Sequence, residues 1–249
     1  MLQRLFQNMP PVTKNLLILN VLFWGAMTLV PVLDAKLTQW CALHYFTSPG
    51  FNVAQLFTYM FLHSGFMHLF FNMFMLVMFG GIIERSMGSS RFLFYYISCG
   101  LFAALIQMGA YAVVLSKYYD MFTPEQMHEI IYRGWNYLKD GYTFTDPTYA
   151  RINSLVNGPM VGASGAIYGV LLAFGMLYPN QPLYLMFIPV PIKAKWMVLG
   201  SGVIELLLGI NNNAADNVAH FAHLVGMIAG VMLILYWKKK GVFNNHWFF

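Results

Sequence analysis

The chain has 249 residues, of which 59% are hydrophobic and 9% charged, with a formal net charge of +5. Soluble domains carry about 25% charged residues, so the composition excludes a soluble globular protein and predicts one polytopic membrane domain over residues 1–249. The basic residues lie in short connections and tails rather than on one patch, which speaks against nucleic acid as a partner and leaves membrane lipid as the surrounding one.

A spanning helix needs about 20 mostly apolar residues. Stretches at about 15–33, 66–83, 92–115, 161–178, 196–212 and 218–237 qualify, and only the fifth holds a charged residue, Glu205. Arg4 and Lys14 precede the first, but it is long for a signal-peptide core and lacks an A-x-A cleavage site, so it reads as a retained helix. With six spans and the N-terminus inside, Arg4, Lys14, Arg85, Arg91, Lys193, Lys195, Lys238, Lys239 and Lys240 fall inside. Lys36, Lys117, Arg133, Lys139 and Arg151 fall outside, so the Lys/Arg bias predicts both termini on the cytoplasmic side.

The connection at about 34–65 is charge-free after Lys36 and aromatic, and is expected to dip into the interface. The long connection at about 117–157 is broken by Pro124, Gly134, Gly141 and Pro147. Its stretch 124–139 predicts a helix capped by Thr123, lying along the membrane surface. A connection of this length usually serves function. Ile188-Pro189-Val190-Pro191 cannot continue a helix and marks the turn before the fifth span. Cys41 and Cys99 give no disulfide framework.

Three spans carry polar residues that hydrocarbon disfavours unless they face a protein interior or a wet cavity. Ser164 sits in Gly162-Ala163-Ser164-Gly165, with Tyr168 one turn below it. Flanking glycines let backbone and substrate approach closely, and free N–H groups at a helix start point toward an oxyanion. Asn157-Gly158-Pro159 predicts a helix that starts late, near Ser164. Taken alone, the glycines fit small-residue helix packing better.

His223 heads a stripe with Gly226 and Gly230 that lets a neighbouring helix come within reach of a serine–histidine bond. His220 shares that face, so spacing leaves both histidines open as the base. Asp216 is poorly placed to orient the imidazole, which favours a dyad over a triad. His68 and Asn72, four apart on one face, are donors for a developing oxyanion or for a bond between helices. His63 reads as structural, and Glu84 with Arg85 and Arg91 as an interfacial ion-pair cluster. Glu205 is costly at mid-span and reads as neutral and hydrogen-bonded, with no partner acid or base in neighbouring turns. His63, His68, His220 and His223 lack metal-ligand spacing, and no metal or other cofactor is expected.

In order along the chain stand His63-…-His68-x-x-x-Asn72, Gly80-Gly81-x-x-Glu84, Gly162-Ala163-Ser164-Gly165-x-x-Tyr168-Gly169 and Ala222-His223-x-x-Gly226-x-x-x-Gly230. This pattern resembles the rhomboid intramembrane serine proteases over most of residues 55–237. The resemblance implies an all-α, six-transmembrane-helix bundle with a wet cavity. It implies Ser164 as nucleophile and His223 as general base, which sets His220 aside. Asn72, His68 and the Ser164 N–H would surround the oxyanion, Tyr168 would pack on His223, and residues 211–218 would border substrate access. Where many bacterial members carry Trp-Arg, this chain reads Ala54-Gln55, a departure that bears on loop bonding and not on the chemistry.

The expected function is hydrolysis of peptide bonds in or next to transmembrane helices of protein substrates. The rival is an inactive rhomboid-like protein that binds such helices; relatives of that kind lack the serine or the histidine. A channel or transporter, prompted by Glu205, lacks inverted repeats. The expected location is a bacterial cytoplasmic membrane, because the chain is compact and shows no Arg-rich, acid-poor transit segment.

Overall fold

Proline opens four of the described helices: α1 (Pro11–Leu29), α2 (Pro31–Cys41), α7 (Pro124–Lys139) and α8 (Pro147–Asn157). At that position its missing N–H is one that a helix leaves unbonded anyway. The computed structural model describes residues 7–184, 191–211 and 220–243. Arg4, Asp216, Ile188-Pro189-Val190 and the 212–218 part of the substrate-access stretch lie outside them.

Proline also ends the first helix. Val30 precedes Pro31 and is forced to extended backbone (φ −129°, ψ 92°). The stretch expected as one span at about 15–33 therefore breaks at Val30, and α2 begins anew. Helices α4 (Phe66–Met75) and α5 (Gly81–Met87) run on through a π-helical turn at Leu76–Gly80. Next comes α6 (Ser89–Tyr119), then α7 and α8, and then α9 (Ser164–Leu177). A short antiparallel ribbon, β1 (Pro182–Leu183) with β2 (Ile192–Lys193), leads into α10 (Ala194–Asn211) and α11 (His220–Lys239). Between α2 and α4 lies α3 (Gln55–Thr58), followed by a 3₁₀ turn at Tyr59–Phe61.

Among the described residues four helices, Pro11–Leu29, Phe66–Met87, Ser89–Tyr119 and His220–Lys239, are long and apolar enough to cross a membrane, and Ser164–Leu177 is a shorter apolar one. Leu22, Leu29, Val113, Leu207 and Met232 stand exposed along α1, α6, α10 and α11, a surface suited to lipid. The core lies where α9 packs against α11, α6 and α10, around the fully buried Tyr95, Tyr96, Phe92 and Phe174. The protein is an integral membrane protein of all-α, polytopic architecture.

Glu84 corrects one expectation. Instead of an ion-pair cluster it caps the start of α1. Its buried carboxylate accepts from Val12 N (2.9 Å), Thr13 N (2.7 Å) and Thr13 Oγ1 (2.8 Å), and from Ser89 Oγ at 2.7 Å. Those N–H groups are among the four that a helix start leaves without partners. Arg85 donates to the Asn8 carbonyl and Arg91 to that of Met87.

The two long connections form one bonded unit. Thr123 and Gln126 make a reciprocal capping box at the start of α7. The apolar face of α7, with Met127, Ile130, Ile131 and Trp135, is buried against protein. The amphipathic helix covers that face with α8 and the 42–50 segment. Asn157, fully buried, is the knot: it accepts from Ser48 Oγ (2.7 Å) and donates to Ile131 O (2.8 Å) and Asn153 Oδ1 (2.8 Å). Gln55 supplies the bonding of the 39–55 loop, donating to the carbonyls of Gly50 and Gln39 and accepting from His44 N.

Candidate active site

Ser164 is the first residue of α9, after an approach in extended chain. Leu43 and Met160 form an antiparallel bridge, and Gly162 N donates to Tyr59 O at 3.0 Å. Gly162 has φ +127°, backbone that only glycine adopts cheaply, and a Cβ there would lie 2.7 Å from His68 Nε2 and 3.7 Å from Ser164 Oγ. The N-cap Ala163 makes no side-chain bond to the first turn, so those N–H groups lie open beside Ser164. With 14 residues, α9 is about 21 Å long, well short of the ~30 Å hydrocarbon core. A helix of that length, starting at Ser164, does not cross the whole core.

His223 comes from the first turn of α11. Its Nε2 lies 2.7 Å from Ser164 Oγ, and its ring is buried. The Tyr168 ring stacks on it at 4.3 Å with planes 8° apart. The approach depends on Gly226, where a Cβ would sit 2.0 Å from the Gly165 carbonyl oxygen, so the α9 and α11 backbones touch. A Cβ at Gly165 would likewise lie 2.6 Å from that of Ala103 on α6.

The two histidines left open by spacing are separated by geometry. His223 faces Ser164, whereas His220 Nδ1 bonds Glu205 Oε2 at 2.6 Å.

His68 and Asn72 stand across the gap on α4. Asn72 Nδ2 donates to His68 O at 3.0 Å, and Ser64 Oγ lies 3.1 Å from His68 Nδ1. When the Ser64 hydroxyl donates there, the ring proton rests on Nε2, the atom that faces Gly162 and Ser164. His63 is buried edge-on to His68 at 4.9 Å.

Glu205 is the residue whose surroundings differ most from expectation. Its carboxylate from α10 has partners on two other helices: the Tyr168 hydroxyl on Oε1, and His220 on Oε2, with His223 Nδ1 3.0 Å from Oε2. Sequence spacing missed this because the three partners sit far along the chain on α9 and α11. The available signal was an acid and two histidines in adjacent spans at similar depth. Among the described residues Glu205, His220 and His223 also offer three metal-ligand atoms within 4.8 Å of one another. Here both carboxylate oxygens are taken up by the Tyr168 and His220 bonds.

A Rhomboid domain model matches residues 50–240. The chain belongs to the rhomboid family. Rhomboid protein 1, mitochondrial, of Saccharomyces cerevisiae is 26% identical over 253 residues, covering 94% of this chain and 58% of that protein. An uncharacterized mitochondrial rhomboid protein of Schizosaccharomyces pombe is 25% identical over 207 residues, 74% of this chain and 51% of the relative. Rhomboid protease GlpG of Salmonella choleraesuis is 30% identical over 97 residues, 39% of this chain and 34% of that protein. The chain thus spans little more than half the length of the fungal relatives it matches. At family level, rhomboid proteins are associated with intramembrane serine proteolysis, and the paired Ser164 and His223 are what such chemistry needs.

Proposed function

We propose that this rhomboid is an active intramembrane serine protease, hydrolysing peptide bonds in or next to transmembrane helices of other proteins. The observation that carries the reading is the 2.7 Å contact between His223 Nε2 and Ser164 Oγ inside a membrane protein. His223 takes the hydroxyl proton as Ser164 Oγ attacks the scissile carbonyl carbon. The oxyanion would form beside Gly162, near His68 Nε2 and the open N–H groups at the start of α9, with the Asn72 amide, which donates to the His68 carbonyl in this structure, as a further donor once it turns from that bond. The His223 imidazolium then protonates the leaving amine, and an acyl ester remains on Ser164. Water, deprotonated by His223, attacks that ester and restores the hydroxyl. Tyr168 holds the ring plane by stacking, and Gly162, Gly165 and Gly226 supply the close backbone approach.

The Lys/Arg distribution supports both termini on the cytoplasmic side. For location, the spanning helices support an integral membrane protein, and the mitochondrial names of the two fungal relatives lend no support to the bacterial cytoplasmic membrane expected from the sequence.

The test is purified protein in liposomes with a single-spanning substrate, beside Ser164→Ala and His223→Ala. Cleavage by the unaltered protein alone is the expected result. No cleavage across several substrates would overturn the reading in favour of helix binding without hydrolysis.

A further inference from the structure

Resting on that reading, we propose that Glu205 is the positioning residue for His223, so that the serine–histidine pair works as a carboxylate-backed triad drawn from three helices. Four observations converge on it. The carboxylate is buried, 3.0 Å from the Nδ1 that His223 turns away from Ser164. It is held from both sides, by the Tyr168 hydroxyl on Oε1 and His220 Nδ1 on Oε2. Tyr168 also stacks on the His223 ring, so one side chain sets both the acid and the base. His223 Nδ1 has no aligned hydrogen-bond partner although Glu205 Oε2 lies 3.0 Å from it. The contact is therefore one of charge rather than of an aligned bond.

The chemistry gives such a carboxylate two tasks. For Nε2 to accept the serine proton, the ring's own proton must sit on Nδ1, and a carboxylate at that nitrogen favours this tautomer. When His223 becomes imidazolium, its charge is produced away from water, where an opposite charge at 3.0 Å acts strongly. The partners of the Glu205 carboxylate are Tyr168, His220 and His223, so it acts on Ser164 through the imidazole. The other groups facing His223 are His220 on its own helix, Tyr168 and Ser164 on α9, and His68 on α4, close enough for electrostatic coupling. None of these carries a negative charge, and among the described residues Glu205 is the one that brings such a charge to Nδ1.

The experiment compares the unaltered protein with Glu205→Gln and Glu205→Asp in liposomes, reading kcat, KM and the pH profile of kcat/KM, with melting temperatures as a check on folding. Glu205→Gln keeps the shape and an acceptor for Tyr168 while removing the charge. Its kcat is expected to fall about 10²-fold, less than the ~10⁴ lost where an aligned carboxylate–imidazole bond is broken, with KM unchanged. The acid limb of the kcat/KM profile should move to lower pH, because a neutral amide no longer favours the protonated ring. Glu205→Asp should recover part of kcat. A folded Glu205→Gln with unaltered kcat and profile, beside a cleaving unaltered protein, overturns this proposal alone. Equal losses in Glu205→Gln and Glu205→Asp, tracking a fall in melting temperature with an unmoved profile, overturn it in favour of a structural role. An unaltered protein that never cleaves overturns the protease reading and this proposal with it.

Discussion

Gly226 and Gly165 bring the backbones of α11 and α9 into contact: a Cβ on Gly226 would lie 2.0 Å from the Gly165 carbonyl oxygen. Backbone cannot yield as a flexible side chain does. Gly226→Ala must therefore push the helices apart at the point where His223 reaches Ser164. Overpacking of this kind costs about 1–3 kcal/mol, so the melting temperature should fall, and proteolysis should drop at least tenfold because the 2.7 Å serine–histidine contact opens. A crystal or cryo-EM structure of the variant with that distance unchanged would refute the argument.

Glu84 ties helix starts together through four accepted bonds, three at the start of α1 and one from Ser89 at the start of α6. Glu84→Gln leaves one oxygen to do the work of two. The predicted loss is about 1–3 kcal/mol, the cost of leaving a buried donor unpaired. Thermal denaturation in detergent measures it, and an unchanged midpoint would mean that α1 is held mainly by its apolar packing.

Asn157 joins α8, the carbonyl of Ile131 on α7 and Ser48 of the first connection. Asn157→Ala should free these from one another at a cost of about 1–3 kcal/mol. Limited proteolysis reads the outcome: cleavage within residues 117–157 should speed up, while a double substitution with Ser48→Ala should add little, since the two share one bond.

Acid should loosen the same region. Burial holds His44 below the usual imidazole range, and its Nδ1 meets the Asn157 carbonyl at 2.9 Å. Burial, reinforced by the nearby His68, holds His63 down to about 3. Both rings are neutral in the folded protein and free to protonate once unfolded. Their contribution is complete above the ~6.5 of a free imidazole and is lost as pH falls below it, since the unfolded chain then binds more protons. Melting midpoints at pH 7.5 and 5.0 should differ, and His44→Gln should reduce the difference.

A transmembrane substrate must unwind before its carbonyl reaches Ser164. Replacing Gly near the scissile bond by Leu strengthens that helix by about 1 kcal/mol per residue, and Pro by more. Cleavage should slow about fivefold for each such Gly, read as kcat/KM on paired peptides. Equal rates would remove unwinding from the rate-limiting path.

What the residues disclosed in advance follows from how local each feature is. Gly162-Ala163-Ser164-Gly165 is contiguous and Gly226 lies one turn from His223, so both motifs could be read locally, and the structure sets Ser164 Oγ 2.7 Å from His223 Nε2. The capping box at Thr123 is equally local. Val30 shows a local signal read too weakly, because Pro31 already dictated the break. The role of Gln55 in loop bonding and of Asn157 as a knot depends on which loop meets which. Glu205 is the extreme case: its partners lie on α9 and α11, and no periodicity within α10 points to them.

The 14 residues of α9 act as a ruler with a dial. Measured from Leu177, each residue raises the serine hydroxyl by about 1.5 Å and turns it by about 100°. One residue inserted below Ser164 would therefore aim the hydroxyl at another neighbour altogether, while three or four would restore the bearing at the wrong height. Only one length satisfies both coordinates at once.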